Sequence, residues 1–289
     1  MALIEGEIDR FLRNVRRIIG EPDPGEWTDQ EIIDAANQCA DRIFLDILLP
    51  ADKGYGEYVS NISIVADQEF YAQPYGLIRM LWMSQLDDDG LHVGTFRNIF
   101  RSERDIVAGV YITNHQIGVS PIPTETKTDA LKLIYVRKPV PIHKAQASAV
   151  GATSLTLGTT AQLRQVLTQD NSYLGSRVQV LNATANEGEI ATVTAYVGST
   201  HVATVSWDNT PTGTITYEVM PDLPLEAYDL WYLHTADQCL SDHDAGSNTR
   251  LTKLGRDMSK ANKALKHVAN TRLKTGRPPS WMDDAEVSI

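Results

Sequence analysis

Residues 130–142 read Ala-Leu-Lys-Leu-Ile-Tyr-Val-Arg-Lys-Pro-Val-Pro-Ile, and the reading of the fold turns on where this run is divided. From Ala130 to Arg137 it is rich in branched and aromatic residues, the composition of a strand. Leu131, Leu133 and Tyr135 alternate with Lys132, Ile134 and Val136, giving one apolar and one mixed face. Pro139 and Pro141 then break the pattern, since proline has no N–H for a ladder and constrains the residue before it.

Upstream of this run the first two segments carry a helical period. Ile4, Ile8, Phe11, Leu12, Val15, Ile18 and Ile19 share one face, with Gly20 placed to end the helix and Pro22 and Pro24 to prevent its continuation. Thr28-Asp29-Gln30-Glu31 is a capping box, in which hydroxyl and carboxylate each accept from the other residue's backbone N–H. Trp27 and Ile32 have the placing of a hydrophobic staple. Ile32, Ala36, Cys39, Ile43 and Ile47 form a stripe, widened by Ile33, Ala40, Phe44 and Leu48, so this second helix packs against more than one neighbour. Pro50 is expected to end it. Glu57–Val65 alternates loosely, Glu69–Gln73 is short and aromatic, and Tyr111–Val119 reads as a strand. The stretch from Tyr75 to Gln85 is ambiguous between strand and helix. These pieces predict a small antiparallel sheet packed on helices.

Downstream, residues 144–220 turn rich in Thr, Val, Ala, Gly and Ser. Candidate strands are Ser154–Leu157, Arg177–Leu181, Ile190–Tyr196, His201–Val205 and Thr214–Val219, separated by turn sequences at 196–200 and 208–213. Pro221 and Pro224 mark the far border. Helical periodicity returns from Leu225 to about Asp242. After a polar turn at 244–248, Leu251, Leu254, Met258, Ala261, Leu265 and Val268 recur at three- and four-residue steps. The expected fold class is thus α+β: a helical bundle platform with a small antiparallel sheet, residues 1–142 and 223–289, plus an inserted all-β sandwich or barrel-like module, residues 143–222.

A chain of 289 residues with 42% hydrophobic and 22% charged content has the make-up of a soluble globular protein. No run approaches the roughly 20 apolar residues of a membrane span, and the acidic N-terminus does not resemble a signal peptide. Cys39 and Cys239 read as buried free thiols. The net charge of −11 is unevenly spread. Arg250, Lys253, Arg256, Lys260, Lys263, Lys266, Arg272, Lys274 and Arg277 face one acid, Asp257, so this segment carries +8 and the remainder −19. Such a split suggests a basic element that docks on an acidic surface, its own or a neighbour's. A merely solvated face and contact with nucleic acid stay open, although no aromatic residues are interleaved on which bases would stack.

Chemistry-bearing motifs are few. None of His92, His115, His143, His201, His234, His243 and His267 stands at a metal-ligand spacing from another His or Cys. Asp87-Asp88-Asp89-Gly90 lacks the alternating ligands and closing Glu of a calcium loop and reads as a solvated turn. There is no nucleophile elbow, phosphate loop or dinucleotide fingerprint. The expectation is a non-enzyme with no catalytic, metal or cofactor site.

The stretch Trp27-Thr28-Asp29-Gln30-Glu31-Ile32-Ile33-Asp34-Ala35-Ala36-Asn37 resembles the opening of head-to-tail adaptor (connector) proteins of tailed bacteriophages. The run 130–141 and the late helical pair resemble later parts of the same proteins, and the likeness covers about 27–142 and 223–275. Tyr173-Leu174-Gly175, Glu187-Gly188 and residues 196–205 and 211–219 resemble β modules of other phage virion proteins.

The resemblance implies a structural virion protein at the head–tail interface, assembled in the host cytoplasm. It implies a homo-oligomeric ring, commonly a dodecamer, that joins the portal to the tail tube or nozzle proteins and extends the DNA channel. By the same analogy the nine basic residues contact the portal or line the channel beside packaged DNA. Simple adaptors lack an insert such as 143–222, so its role does not carry over from them; the separate expectation is that it projects to meet neighbouring tail or fibre proteins. The alternative is a β-sandwich binding module on a helical stalk, for host-surface or tail-fibre attachment, which asks for exposed aromatics among Tyr173, Tyr196, Trp207 and Tyr217. A hydrolase would need a pocket with two acids of raised pKa.

Overall fold

A computed structural model describes the chain apart from residues 1–5, 22–24, 52–53, 100–102, 104–107, 114–115, 160, 164–165, 243–247 and 272–289. Ile4, Pro22, Pro24, His115, His243 and most of the 244–248 turn therefore lie outside the described residues. Two compact units emerge: the described residues of Met1–Lys53 with Pro139–Leu273, and those of Gly54–Lys138.

The second unit is one seven-stranded sheet. Its strands are β1 (Glu57–Ile64), β2 (Phe70–Ala72), β3 (Leu77–Leu86), β4 (His92–Asn98), β5 (Gly109–Thr113), β6 (Gln116–Ser120) and β7 (Lys127–Arg137). They run in the order β1-β7-β3-β4-β5-β6-β2. All neighbours are antiparallel except β4 and β5. The alternating run that ends at Arg137 belongs to the long strand β7, flanked by β1 and β3. Leu131, Leu133 and Tyr135 enter a core with Tyr71, Met83, Val110 and Ile117. Arg137 is buried with its guanidinium 3.7 Å above the Tyr58 ring. Asp87-Asp88-Asp89-Gly90 closes the β3–β4 hairpin: the Asp87 carboxylate accepts from the N–H groups of Asp89 and Leu91, and Asp88 pairs with Lys127 at 2.8 Å.

The first unit combines helices with the other sheet. Its helices are α1 (Glu7–Ile19), α2 (Asp29–Ile43), the one-turn α3 (Leu49–Ala51), α4 (Tyr228–Asp242) and α5 (Asn248–Thr271). The capping box forms as read, with Glu31 N–H donating to Thr28 Oγ1 at 3.3 Å and Thr28 N–H to the Glu31 carboxylate at 2.8 Å, worth about 1 kcal/mol to the helix. Pro50 does not stop the chain at once. A π-helical turn over Phe44–Leu48, in which Leu49 N–H donates to Phe44 O, leads into α3 and places Pro50 inside it. The wider turn accommodates a ring that would collide with a carbonyl in a regular one. Helix α4 is central, packing against α1, α2 and α5. Trp231 stacks on Phe11 at 4.2 Å and donates from Nε1 to Ala36 O at 2.7 Å. Arg16, on the otherwise apolar face of α1, is buried but donates to Trp27 O and Asp29 at 2.8 and 2.7 Å.

The same unit holds β8 (His143–Gln146), β9 (Ala149–Gly151), β10 (Ser154–Thr156), β11 (Ala161–Leu163), β12 (Arg177–Asn182), β13 (Ile190–Val197), β14 (Val202–Val205) and β15 (Thr216–Val219). Their order is β11-β8-β15-β12-β13-β14-β10-β9. Ala145, Val178, Val193, Ala203, Tyr217 and Leu155 come from six of these strands yet share one core, so the sheet curls around it as a half-barrel.

The fold class expected from sequence is overturned. The chain is mostly β, with two extended sheets and few helices among the described residues, and not a helical platform bearing a small sheet. The cause is visible in the register. Pairing with β3 shifts between Leu77 and Arg79, between Met80 and Trp82, and between Gln85 and Leu86; β1 shifts between Ile62 and Ile64. Each bulge reverses which side chains face inward, so Leu77–Met83 shows neither period 2 nor period 3.6. Strand β4 went unread because Val93, Thr95 and Arg97 alternate with residues as dissimilar as His92, Gly94 and Phe96.

Candidate interaction surface

Helix α5 sorts its residues into distinct faces. Leu254, Leu265 and Ala269 are buried, with Met258, Ala261 and Val268 half-buried beside them, which is the stripe read from sequence. Lys253, Arg256, Lys260, Lys263 and Lys266 are all exposed. At about 100° per residue, Lys253 and Lys260 fall together on one flank, and Arg256, Lys263 and Lys266 on the outward side. The single ion pair on this helix among the described residues joins Lys260 to Asp257 at 4.0 Å. The structure thus gathers five of the nine basic residues on one rod. Arg250 belongs to α5, but its side chain, like that of Leu251, is outside the described residues. Arg272, Lys274 and Arg277 are outside them altogether.

Beside the first flank runs a groove that sequence reasoning missed. Its larger part, about 620 Å³, is lined by Arg17 and Ile18 of α1, Asp229, Tyr232 and Leu233 of α4, and Lys253 and Leu254 of α5, among others. A second part of about 460 Å³ shares Ile18, Asp229, Tyr232, Leu233 and Asp257 and extends along α5 past Lys260 to Ala264. Apolar side chains (Ile18, Leu233, Leu254) share the lining with charged ones of both signs. Helix α1 comes from the other end of the chain to meet the consecutive α4 and α5, so no local pattern announces it.

The Glu218 carboxylate is the one among the described carboxyl groups whose pKa is clearly raised, and its role is mechanical. It sits in β15, 1% exposed, and accepts from the backbone N–H groups of Glu7 and Ile8, the latter at 3.2 Å. Helix α1 has no side-chain cap of its own, since its N-cap is Gly6; the β module supplies the acceptor instead. A Cβ at Gly6 would lie 2.5 Å from Glu218 Oε2, so a side chain there would push against the buried carboxylate. Burial pushes the Glu218 pKa up to about 7, against the pull of the two N–H donors and of Lys144, while Asp9 raises it further. Lys144 in turn pairs with Asp9 at 2.7 Å. The hydrolase reading asks for a second such acid in a pocket, and the described residues offer none. Nor do they hold a group of His, Cys, Asp or Glu arranged to bind a metal.

The aromatics that the binding-module alternative needed outside are inside. Tyr173, Tyr196 and Tyr217 are at most 2% exposed, and Trp207 packs against the same cores. Tyr217 Oη accepts from Gly158 N–H at 3.0 Å and bonds the buried His143 at 2.8 Å. Tyr196 Oη donates to Leu167 O. Cys39 and Cys239 are buried free thiols, and burial pushes the Cys39 thiol up to about 11, which leaves it unreactive at neutral pH. No helix among the described residues is long and apolar enough to cross a membrane.

No curated protein matches the chain. The family model for the SU10 adaptor protein matches residues 8–156, just over half of it, from α1 through the seven-stranded sheet to β10. The match stops short of α4 and α5, so the basic helix and its groove stand on geometry alone. By that match the chain belongs to the SU10 adaptor protein family, structural rather than enzymatic components of bacteriophages.

Proposed function

We propose that the protein is a head–tail connector adaptor that forms a closed ring, commonly of twelve copies, beneath the portal. The ring joins the portal to the tail tube or nozzle proteins and extends the DNA channel. Residues 143–222 act as an insert in an adaptor chain made of 1–142 and 223–289, and project toward tail-fibre proteins. The observation that carries the reading is the exposed cationic rod of α5 in a chain whose net charge is −11. Solvated cations of this kind contribute little to the subunit's own stability. Against an acidic protein surface or a column of phosphates they steer association and fix register.

The outward cations Arg256, Lys263 and Lys266 are assigned to the portal or channel. Replacing all three by Glu is expected to abolish co-purification with the portal while leaving the melting temperature unchanged, because all three are solvated. Portal binding at wild-type strength by that variant, or by a chain lacking residues 250–289, sinks the assignment. Titrating salt separates the two contacts: a DNA-lining role predicts binding to duplex that falls steeply with ionic strength.

A further inference from the structure

The groove between α1, α4 and α5 has a counterpart on the far side of the same helical unit. Residues of α4 that meet α2 are Trp231, which donates to Ala36, and Gln238, which accepts from Arg42. Those lining the groove are Asp229, Tyr232 and Leu233. On a 3.6-residue helix the two sets are centred roughly 160° apart. The outer face of α2 therefore points away from the groove.

That outer face is acidic and has the groove's dimensions. Gln30, Asp34, Gln38, Asp41 and Leu45 recur at three- and four-residue steps, and Gln30 donates to Asp34 at 3.0 Å. Asp34 and Gln38 are exposed, Asp41 is half-exposed, and Leu45 is 44% exposed, an apolar knob at the end of the stripe. From Asp34 to Leu45 is about 17 Å, as is the groove from Lys253 to Ala264. The two carboxylates are seven residues apart, and so are Lys253 and Lys260. Two helices packed side by side bring heptad-spaced charges into register. The groove lining contains Arg17, Lys253 and Lys260 against Asp229 and Asp257, a net positive wall over an apolar floor of Ile18, Leu233 and Leu254.

We infer that the α1–α4–α5 groove is the seat of a second copy of this chain, which lays into it the Asp34–Asp41 face of its α2 together with Leu45 of the π-helical turn that follows. Different surfaces of one subunit meet, so the contact is heterologous and repeats from copy to copy, closing a ring when the rotation allows. The helices lie parallel, so that Lys253 meets Asp34, Lys260 meets Asp41 and Leu45 reaches the apolar part of the groove beside Ala264. This rests on the ring reading above and assigns its subunit contact. It also divides the basic residues between two roles, with Lys253 and Lys260 holding the neighbour while Arg256, Lys263 and Lys266 stay outward.

Charge swapping tests it on the full chain, with oligomer mass read by native mass spectrometry. Asp34→Lys/Asp41→Lys and Lys253→Glu/Lys260→Glu are each expected to be monomeric, with unchanged circular dichroism. An equimolar mixture is expected to assemble again, because each variant's altered face meets the other's altered face and each native face a native one. A wild-type oligomer that either reversal leaves intact, or a mixture that stays monomeric, overturns the interface while the ring reading stands. A wild type monomeric at every concentration, alone and with the portal, ends the ring reading and the interface with it. Should a reversal fail to fold, Leu45→Cys/Ala264→Cys supplies a second arm. Helix α5 also touches the Phe44–Leu48 turn within one copy, so the readout is mass on a denaturing gel, which only links between copies raise. A ladder of linked chains supports the contact and linked chains no more abundant than in the wild type overturn it.

Discussion

The two sheets of this protein treat their apolar residues differently. In the eight-stranded sheet tyrosines, valines and alanines turn into one core, and only Ile190 and Val197 remain as exposed large hydrophobics on its strands. The seven-stranded unit buries its own core but leaves Val59, Val65, Ile78, Leu81, Leu91, Val93, Ile112 and Ile122 exposed. The first turns most of its large apolar side chains into its own core. The second carries the larger share of exposed apolar residues, as surfaces that meet other proteins do. It is also the sheet that lies wholly within the family match, residues 8–156.

The sharpest way to break this comparison is to unfold the units one at a time. Trp231 and Tyr135 are each wholly buried, the first at the hub of the helices and the second in the seven-stranded core. Truncation to Ala at either site is expected to cost about 3–5 kcal/mol. Calorimetry on Trp231→Ala is expected to move one transition and on Tyr135→Ala the other, as two compact units require. A single transition that both variants shift equally would show that the two cores unfold as one.

A middle-sized effect concerns how the eight-stranded sheet is bound to the helices. Glu218 has a folded pKa near 7 against an ordinary value of 4.5. A raised carboxyl pKa means the folded state holds the proton more tightly than the unfolded chain. Its contribution is therefore complete below pH 4.5 and is lost as pH rises through about 7. The melting temperature of this unit is expected to climb from about pH 8 to about pH 6, and Glu218→Gln to flatten that slope. Glu218→Ala leaves two buried N–H groups without an acceptor and is expected to cost about 1–3 kcal/mol at any pH. An unaltered slope in Glu218→Gln would show that another group titrates.

How far the sequence could be read follows the same divide. In the half-barrel, Arg177–Asn182, Ile190–Val197 and Val202–Val205 fall within a residue of the segments read as strands, because turn residues punctuate them cleanly. In the seven-stranded sheet, β7 was legible from its alternation, whereas the three register shifts of β3 concealed the longest of its neighbours. The capping box of α2 was legible because a cap is local. The capping of α1 was not, since its acceptor, Glu218, lies 211 residues away from Glu7. The basic segment was legible as charge, but its division into a groove flank and an outward face exists only once α1, α4 and α5 are together.

The smallest expected effect tests the comparison from its exposed side. Leu91 and Val93 are 64% and 58% exposed, while Val193 of the half-barrel is 1% exposed. Replacing a side chain that already meets water forfeits little transfer free energy. Leu91→Ser and Val93→Thr are each expected to change the stability of dilute protein by no more than about 0.5 kcal/mol. Val193→Thr brings a hydroxyl into a dry core and is expected to cost about 1–3 kcal/mol. The informative case is an exposed-site variant that costs more than its share at high protein concentration and nothing at low concentration. Solvent exposure within one subunit would then coexist with burial in an assembly, and the seven-stranded sheet would contribute to it. If Leu91→Ser is costly even in a dilute monomer, the difference between the two sheets is one of core packing, and the contrast in their surfaces loses its meaning.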